Sequence, residues 1–328
     1  MKVFITGGTG FIGSKLTEKL VSENHNVVLL LRNPDKAGYL KDERVEFVEG
    51  DLQKRDALLN GMAGCDWVFH LAAFTKPWSG DPSLSFQTNV TGTVNVLEAA
   101  IKNRVDKVIF TSSAGTMSYS RDGKPVNEMT NPEPVYHTSY EKTKAEAEKV
   151  AIEYSRKGLH VVIVNPTRVF GPGRLTKSNS LTKVIKWYNS GFWRIIPGDG
   201  SCMGNYAYIE DIIEGHLLAA YSGRSGERYI LGGENLSYNE LFTLIAEAAE
   251  KNRKLFHISE SLLIKITSLN SGITKIFGVP PLITREWFDK YMHNWIMSSG
   301  KAMEELGYKI TPFLTGVSAT LKWLNSKC

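Results

Sequence analysis

The chain has 328 residues, 42% of them apolar and 22% charged, which describes a globular protein and excludes a disordered one. That length exceeds what one hydrophobic core serves, so a main domain and a smaller dependent lobe are expected, with a cleft between them. A net charge of +5 without any dense basic cluster argues against a nucleic-acid or lipid face, and three scattered cysteines (Cys65, Cys202, Cys328) without ligand-spaced histidines argue against both a disulfide framework and a zinc site.

Met1 runs directly into KVFITGG with no apolar leader, and no apolar run approaches the roughly 18 residues that span a bilayer. A cytoplasmic protein is expected. The first half then alternates short β-branched runs with helical patterns: KVFIT, a helix over about 11–23, NVVLLL, VEFVEG, DWVFHLA, a helix over about 82–103, VDKVIFTSS, the helix YEKTKAEAEKVAIEYSRKG, and HVVIVNP. Runs that are apolar on both faces and joined by helices predict a doubly wound parallel α/β sheet. After Pro166, loops rich in Gly and Pro (RVFGPGR, IIPGDGS) interrupt the pattern, and NYAYIEDIIEGHLLAAY with ERYILGG reads as one more strand and helix pair. From about Glu234 strand alternation fades and helical segments dominate, with breaks at Pro280, Pro281 and Pro312. The expected division is 1–166 plus about 204–233 for the main domain, and about 167–203 plus 234–328 for a smaller, mostly helical lobe.

ITGGTGFIG lies between a predicted strand and a predicted helix, where Gly8, Gly10 and Gly13 satisfy G-x-G-x-x-G and Gly7, Gly10 and Gly13 satisfy G-x-x-G-x-x-G. Glycines there allow a tight turn, bring backbone N–H groups to a pyrophosphate at a helix N-terminus, and let helix and strand pack closely. Dinucleotide binding is the reading, with Gly7, Gly10, Phe11, Ile12 and Gly13 at the phosphates. The second strand ends in LLLRNPDK, with Leu31 where an NAD site carries a carboxylate. Arg32, supported by Lys36, offers cations to a 2′-phosphate instead, so NADP is favoured over NAD.

Tyr140 and Lys144 are four residues apart on a predicted helix and share a face, so an ammonium could hold the phenol acidic enough to exchange a proton with an alcohol or carbonyl. VIFTSSAG places Thr111, Ser112 and Ser113 at the C-terminal end of a buried strand, where open α/β sheets bind ligands. By spacing alone, Tyr140 and Lys144 also fit an ordinary solvated helix face. The neighbouring serines tip the reading towards a reaction centre.

TGGTGFIG, the Asp51-Leu52 pair, HLAA from His70, NVTGTVNVLEAA from Asn89, TSSAG, YEKTKAEAE and NPTRVFGPG together resemble, in this order, the extended short-chain dehydrogenase/reductase superfamily, also called the NAD-dependent epimerase/dehydratase family. The resemblance implies a Rossmann fold. It implies Tyr140 as acid/base, Lys144 tuning it and holding the nicotinamide ribose, and Ser113 orienting the substrate, with Ser112 as runner-up. Asp51 and Leu52 would meet the adenine, Ala72 and Ala73 would line the cofactor with Thr111, and Pro166 to Val169 would border the nicotinamide. Asn89 matches an asparagine near the cofactor, with a capping or turn role as its plainer explanation. A homodimer through the Tyr140 and Asn89 helices fits the same resemblance.

Within the superfamily, Gly204-Asn205 stands where many sugar-nucleotide enzymes carry an Arg-Asp pair for the substrate diphosphate. That absence, with Arg32 and TSSAGT, makes the chain look like the dihydroflavonol-reductase branch. Aromatic residues (Trp78, Trp187, Phe192, Trp193, Trp287, Tyr291, Trp295) are expected to serve mostly as core, a minority lining an apolar pocket. The expected activity is NADP-dependent reduction of a small, apolar carbonyl. An NAD-dependent nucleotide-sugar epimerase or dehydratase is the alternative, which Arg168 and Arg174 keep open, and a non-catalytic dinucleotide sensor the second. The segment 258–277 is expected to be a lid or core helix.

Overall fold

The computed structural model describes residues 1–76, 81, 83–130, 133–176, 179–265 and 285–326. Trp78, the side chains of Lys36 and Trp287, most of the 258–277 segment and the Pro280-Pro281 break lie outside the described residues.

In chain order the first half runs β1 (Lys2–Thr6), α1 (Phe11–Ser22), β2 (Asn26–Leu31), β3 (Val45–Glu49), α2 (Arg55–Gly61), β4 (Trp67–His70), α3 (Ser83–Phe86), α4 (Gly92–Lys102), β5 (Lys107–Thr111), α5 (Ser139–Arg156) and β6 (Val161–Pro166). The second half adds β7 (Arg168–Phe170), α6 (Ser180–Ser190), β8 (Ile195–Pro197), β9 (Met203–Tyr208), α7 (Ile209–Ser222), β10 (Arg228–Leu231), β11 (Glu234–Ser237), α8 (Tyr238–Ala249) and β12 (Phe256–Ile258). Helices α9 (Arg285–Tyr291), α10 (Gly300–Leu306) and α11 (Phe313–Asn325) follow.

Seven strands pair in the order β10-β6-β5-β4-β1-β2-β3, all parallel, as the apolar runs predict. Alternate side chains feed two cores. Val3 and Ile5 pack with Leu16, Leu20, Ile212 and Leu217 on the α1/α7 side. Phe4 points the other way, to Leu58, Val96, Leu97 and Ala147 on the α2/α4/α5 side. Each fully buried side chain of this size contributes roughly 1.5–3 kcal/mol, so the sheet is the stable platform of the molecule. Strand order reverses between β1 and β4, and the crevice at that switch point lies beside the glycine loop.

The second half departs from the predicted pattern. Strand β9 pairs with β7 and β11 in a separate three-stranded sheet, and β12 pairs with β8. Two short strands therefore lie from Glu234 onward, where helical segments were expected to dominate, because three- and four-residue strands are too short to show alternation. A third core of Phe170, Ile185, Tyr188, Phe242 and Phe313 holds these pieces together. Among the described residues, no helix is long and apolar enough to cross a membrane.

Candidate active site

The glycine loop crosses the switch point with almost no room. Gly7 has a φ of +76°, and a Cβ there would lie 2.7 Å from the backbone nitrogen of Ala72, which follows β4. A Cβ at Gly13 would lie 2.3 Å from the Gly7 carbonyl oxygen, so α1 packs directly against the loop. Gly10 precedes α1 without any side-chain cap, which leaves the first-turn N–H groups of the helix for an anion. The cradle fits a dinucleotide pyrophosphate. Phe11 is core, and Ile12 is half-buried.

A buried polar staple shapes the rim. The Thr6 hydroxyl lies 2.7 Å from His70 Nδ1 and accepts from Ala72 N–H, while His70 Nε2 lies 3.0 Å from the Thr93 hydroxyl. Burial, with the Lys144 charge behind it, pushes His70 down to about 3, so the ring is neutral and structural. Ala72 is thereby fixed against Gly7, and Ala73 follows it half-buried. Arg32 is exposed just past the buried Leu31, and among the described residues no carboxylate pairs with it. Asp51 caps its own turn by accepting from Gln53 and Lys54 N–H, and Leu52 packs against Gly92.

Helix α5 begins at Thr138, whose hydroxyl accepts from Glu141 N–H at 3.2 Å while the Glu141 carboxylate accepts from Thr138 N–H at 3.0 Å. This capping box sets the start of the helix and so places Tyr140 in its first turn and Lys144 one turn on. Ser113 lies near enough to the Tyr140 phenol to draw its pKa down, against the upward push of burial. The Ser113 hydroxyl also accepts from Gly115 N–H at 3.1 Å. Ser112 is buried, its hydroxyl without a partner among the described residues.

A second polar network holds the Ser113 backbone. Asn165 Nδ2 donates to the Ser113 carbonyl at 3.1 Å and to Glu148 Oε1 at 2.6 Å, and the Thr116 hydroxyl lies 2.8 Å from both of those oxygens. Glu148 in turn pairs with Arg228 at 3.5 Å. Neither Asn165 nor Glu148 was singled out from sequence, since nothing local marks a buried carboxylate three turns along a charged helix.

Lys144 behaves otherwise than its spacing suggests. Its Nζ is buried, donates to the Thr111 carbonyl at 2.7 Å and sits 4.1 Å from the centre of the Phe110 ring. Burial pushes Lys144 down to about 7, with Glu148 pulling the other way. Burial also pushes Tyr140 up to about 12, against the pull of Ser113. Because the folded lysine value lies below the usual 10.5, the unfolded chain binds more protons between about pH 7 and 10.5, and stability rises with pH across that window. Lys144→Met should flatten that rise, worth at most a few kcal/mol. Urea midpoints at pH 7 and 9.5 read it; parallel slopes for the two proteins would contradict it.

Asn89 sits in a π-helical turn (Gln87–Thr91), a geometry frequent at functional sites. Its side chain accepts from Phe74 N–H at 2.7 Å and donates to the Thr143 hydroxyl at 2.9 Å. It ties the segment after β4 to α5, so it positions the site and does not cap a helix.

Beside Ser113 lies a pocket of about 60 Å³, lined among others by Thr167, Arg168, Asn205, Lys290 and Trp295. Pro166 belongs to it, whereas Val169 packs on the α1/α7 core. Arg168 Nη1 donates to the Tyr206 hydroxyl at 3.2 Å, and the guanidinium lies over the Tyr206 and Tyr291 rings at 5.5 and 4.8 Å. Lys290 pairs with the buried Glu141 at 2.8 Å. Lys290 carries no mark in the sequence because it reaches the site from α9, far along the chain. Arg174 is exposed over Tyr39, and Trp187 and Phe192 are exposed rather than core. Among the described residues no cluster could hold a metal ion.

Comparison with known proteins agrees with this geometry. A family model described as NAD dependent epimerase/dehydratase family matches residues 3–232. The putative dihydroflavonol 4-reductase of Synechocystis sp. is 27% identical over 332 residues, spanning 98% of this chain and 94% of its own. Cinnamoyl-CoA reductase 1 of Petunia hybrida is 30% identical over 260 residues, spanning 75% of this chain and 76% of its own. The crystal structure of UDP-glucose 4-epimerase from Thermotoga maritima, at 22% identity, matches with a TM-score of 0.83 over 100% of this chain and 99% of its own, a likeness of fold.

Proposed function

Because the chain belongs to the NAD-dependent epimerase/dehydratase family, and so is an NAD(P)-dependent enzyme of the extended short-chain dehydrogenase/reductase type, we propose that it is an NADP-dependent reductase of a small carbonyl compound. What supports this reading is the juxtaposition of Ser113, which lines a pocket after β5, with the Tyr140 phenol, whose pKa it draws down, in the first turn of α5. When bound, the dinucleotide supplies a hydride to the carbonyl carbon. Ser113 donates a hydrogen bond to the carbonyl oxygen, and Tyr140 gives its proton to that oxygen as negative charge develops there. Lys144, one helical turn on, offsets the charge left on the phenol and holds the ribose. Asn89 and the Asn165–Glu148 pair position α5 and Ser113.

The proposed lobes are 1–166 with about 204–233 for the dinucleotide, and about 167–203 with 234–328 for the substrate. The free thiols of Cys65 and Cys202 support a cytoplasmic setting. The exposed apolar Leu84, Phe86 and Ile101 in and before α4 support a homodimer through that helix and α5.

The test is net oxidation of NADPH by the purified protein against ketones, flavonoid and steroid carbonyls and nucleotide sugars. Consumption with a ketone supports the reductase; conversion of a nucleotide sugar without net consumption replaces it with an epimerase. For the cofactor, Arg32→Ser should lower kcat/KM for NADPH by about 10- to 100-fold, the worth of one charge-assisted phosphate contact, with NADH little changed. An unchanged NADPH/NADH ratio would assign the 2′-phosphate elsewhere.

A further inference from the structure

The Arg168 guanidinium is half-buried, its Nη2 fully so, and no counter-ion meets it among the described residues. Among the described residues no carboxylate forms an ion pair with it, and the remaining residues include no Asp or Glu, so no acidic side chain of the chain is left to supply one. Its Nη2 is buried without a hydrogen-bond partner, as is the hydroxyl of its neighbour Thr167, and both residues line the pocket that Ser113 borders. The Lys290 charge in the same wall is already matched by Glu141, so one net positive charge is left over. Three tyrosines surround the guanidinium: Tyr206, Tyr238 and Tyr291. Phenols are neutral, and cation–π contact contributes about 0.5–2 kcal/mol, whereas burying an ion costs several. The tyrosine cage therefore orients Arg168 without offsetting its charge.

Glycine at 204 keeps this arrangement possible. A Cβ there would lie 2.5 Å from Arg168 Nη1 and 2.6 Å from the Tyr206 hydroxyl, so the guanidinium occupies the space that any larger residue would take. Asn205 is committed elsewhere, to Gly233 and Asn235, and so leaves the arginine's remaining N–H groups to the pocket.

We infer that Arg168, with Thr167, docks a carboxylate of the substrate, which makes the substrate an oxo acid whose carbonyl lies at Ser113 and Tyr140. The pocket that Arg168 and Thr167 line beside Ser113 has room for a carboxylate end group. The carbonyl half of this inference rests on the reductase reading above; the anion site does not.

The experiment is calorimetric titration of the NADP⁺-saturated protein with acetate, pyruvate and benzoylformate, each against its neutral amide. At least one acid should bind about tenfold or more tightly than its amide, the worth of one charge-assisted contact, and Arg168→Gln and Arg168→Met should abolish that preference. Removing a half-buried charge that lacks a counter-ion does not by itself unfold a protein. If both variants nevertheless fail to fold, Arg168→Lys, with its shorter reach, should reduce the preference severalfold. Equal binding of every acid and amide, no binding of any acid, or a preference that survives in a folded variant would overturn the site. Binding is read without turnover, so a protein that takes carboxylates through Arg168 yet oxidises no NADPH would refute the reductase and keep the anion site.

Discussion

Tyr140→Phe should lower turnover about a thousandfold while NADPH affinity stays within a few fold of wild type, the size expected for deleting a positioned general acid. The substitution removes one oxygen and leaves the ring, so packing in the first turn of α5 is kept and the Thr138–Glu141 capping box is untouched. What goes is the phenol near Ser113, and with it the proton for the developing alkoxide. NADPH affinity comes from fluorescence titration and turnover from stopped assays with whichever carbonyl the panel identifies. Since burial holds Tyr140 at about 12, the acid form dominates up to strongly alkaline pH, and reduction should show no loss assignable to this group below about pH 10. Unimpaired turnover in the Tyr140→Phe variant would end the assignment. A thousandfold loss accompanied by equal loss of NADPH binding would mean instead that the phenol is structural.

The parts of this site that were legible in sequence are those governed by neighbours in the chain. KVFIT followed by TGGTGFIG reports a strand, a turn and a helix whose contacts are all local, and Gly7 and Gly13 lie in the fold as that pattern requires. The four-residue spacing of Tyr140 and Lys144 likewise gave a shared helix face. Spacing carries no information about what lies opposite that face, however, and the Thr111 carbonyl and Phe110 ring waiting there decide how Lys144 is charged. Burial shifts both groups in the ligand-free chain, Tyr140 up and Lys144 down, which spacing on a helix does not report. Arg168 could be flagged as a cation near the cleft, but its lack of a counter-ion is a fact about every acidic residue in the molecule. Its visibility required the fold, as did that of Lys290 and Glu148.

The glycine loop yields the second large effect, and the molecule contains its own controls. Gly7 combines a positive φ with a close approach, Gly13 has the close approach alone, and Gly123 has a φ of +77° with nothing within 4 Å of the position a Cβ would take. An alanine in the left-handed region costs about 1–2 kcal/mol, and overpacking against backbone about 1–3 more. Gly123→Ala should therefore lose about 1–2 kcal/mol of stability and keep its NADPH affinity. Gly7→Ala should incur both penalties, roughly 2–5 kcal/mol, because the Ala72 backbone it meets is pinned by the Thr6–His70–Thr93 staple and cannot retreat. Gly13→Ala should incur the packing penalty by pushing α1 away from the Gly7 carbonyl. Moving the helix withdraws its first-turn N–H groups from the pyrophosphate, and each charge-assisted hydrogen bond is worth about 1.5–3 kcal/mol, so NADPH affinity should fall by about a hundredfold. Urea unfolding separates the stability costs, and NADPH titration of the folded fraction separates the binding cost. A folded Gly13→Ala protein that binds NADPH as wild type does would show that the phosphates are held elsewhere, because no other consequence of a 2.3 Å contact leaves the helix N-terminus in place.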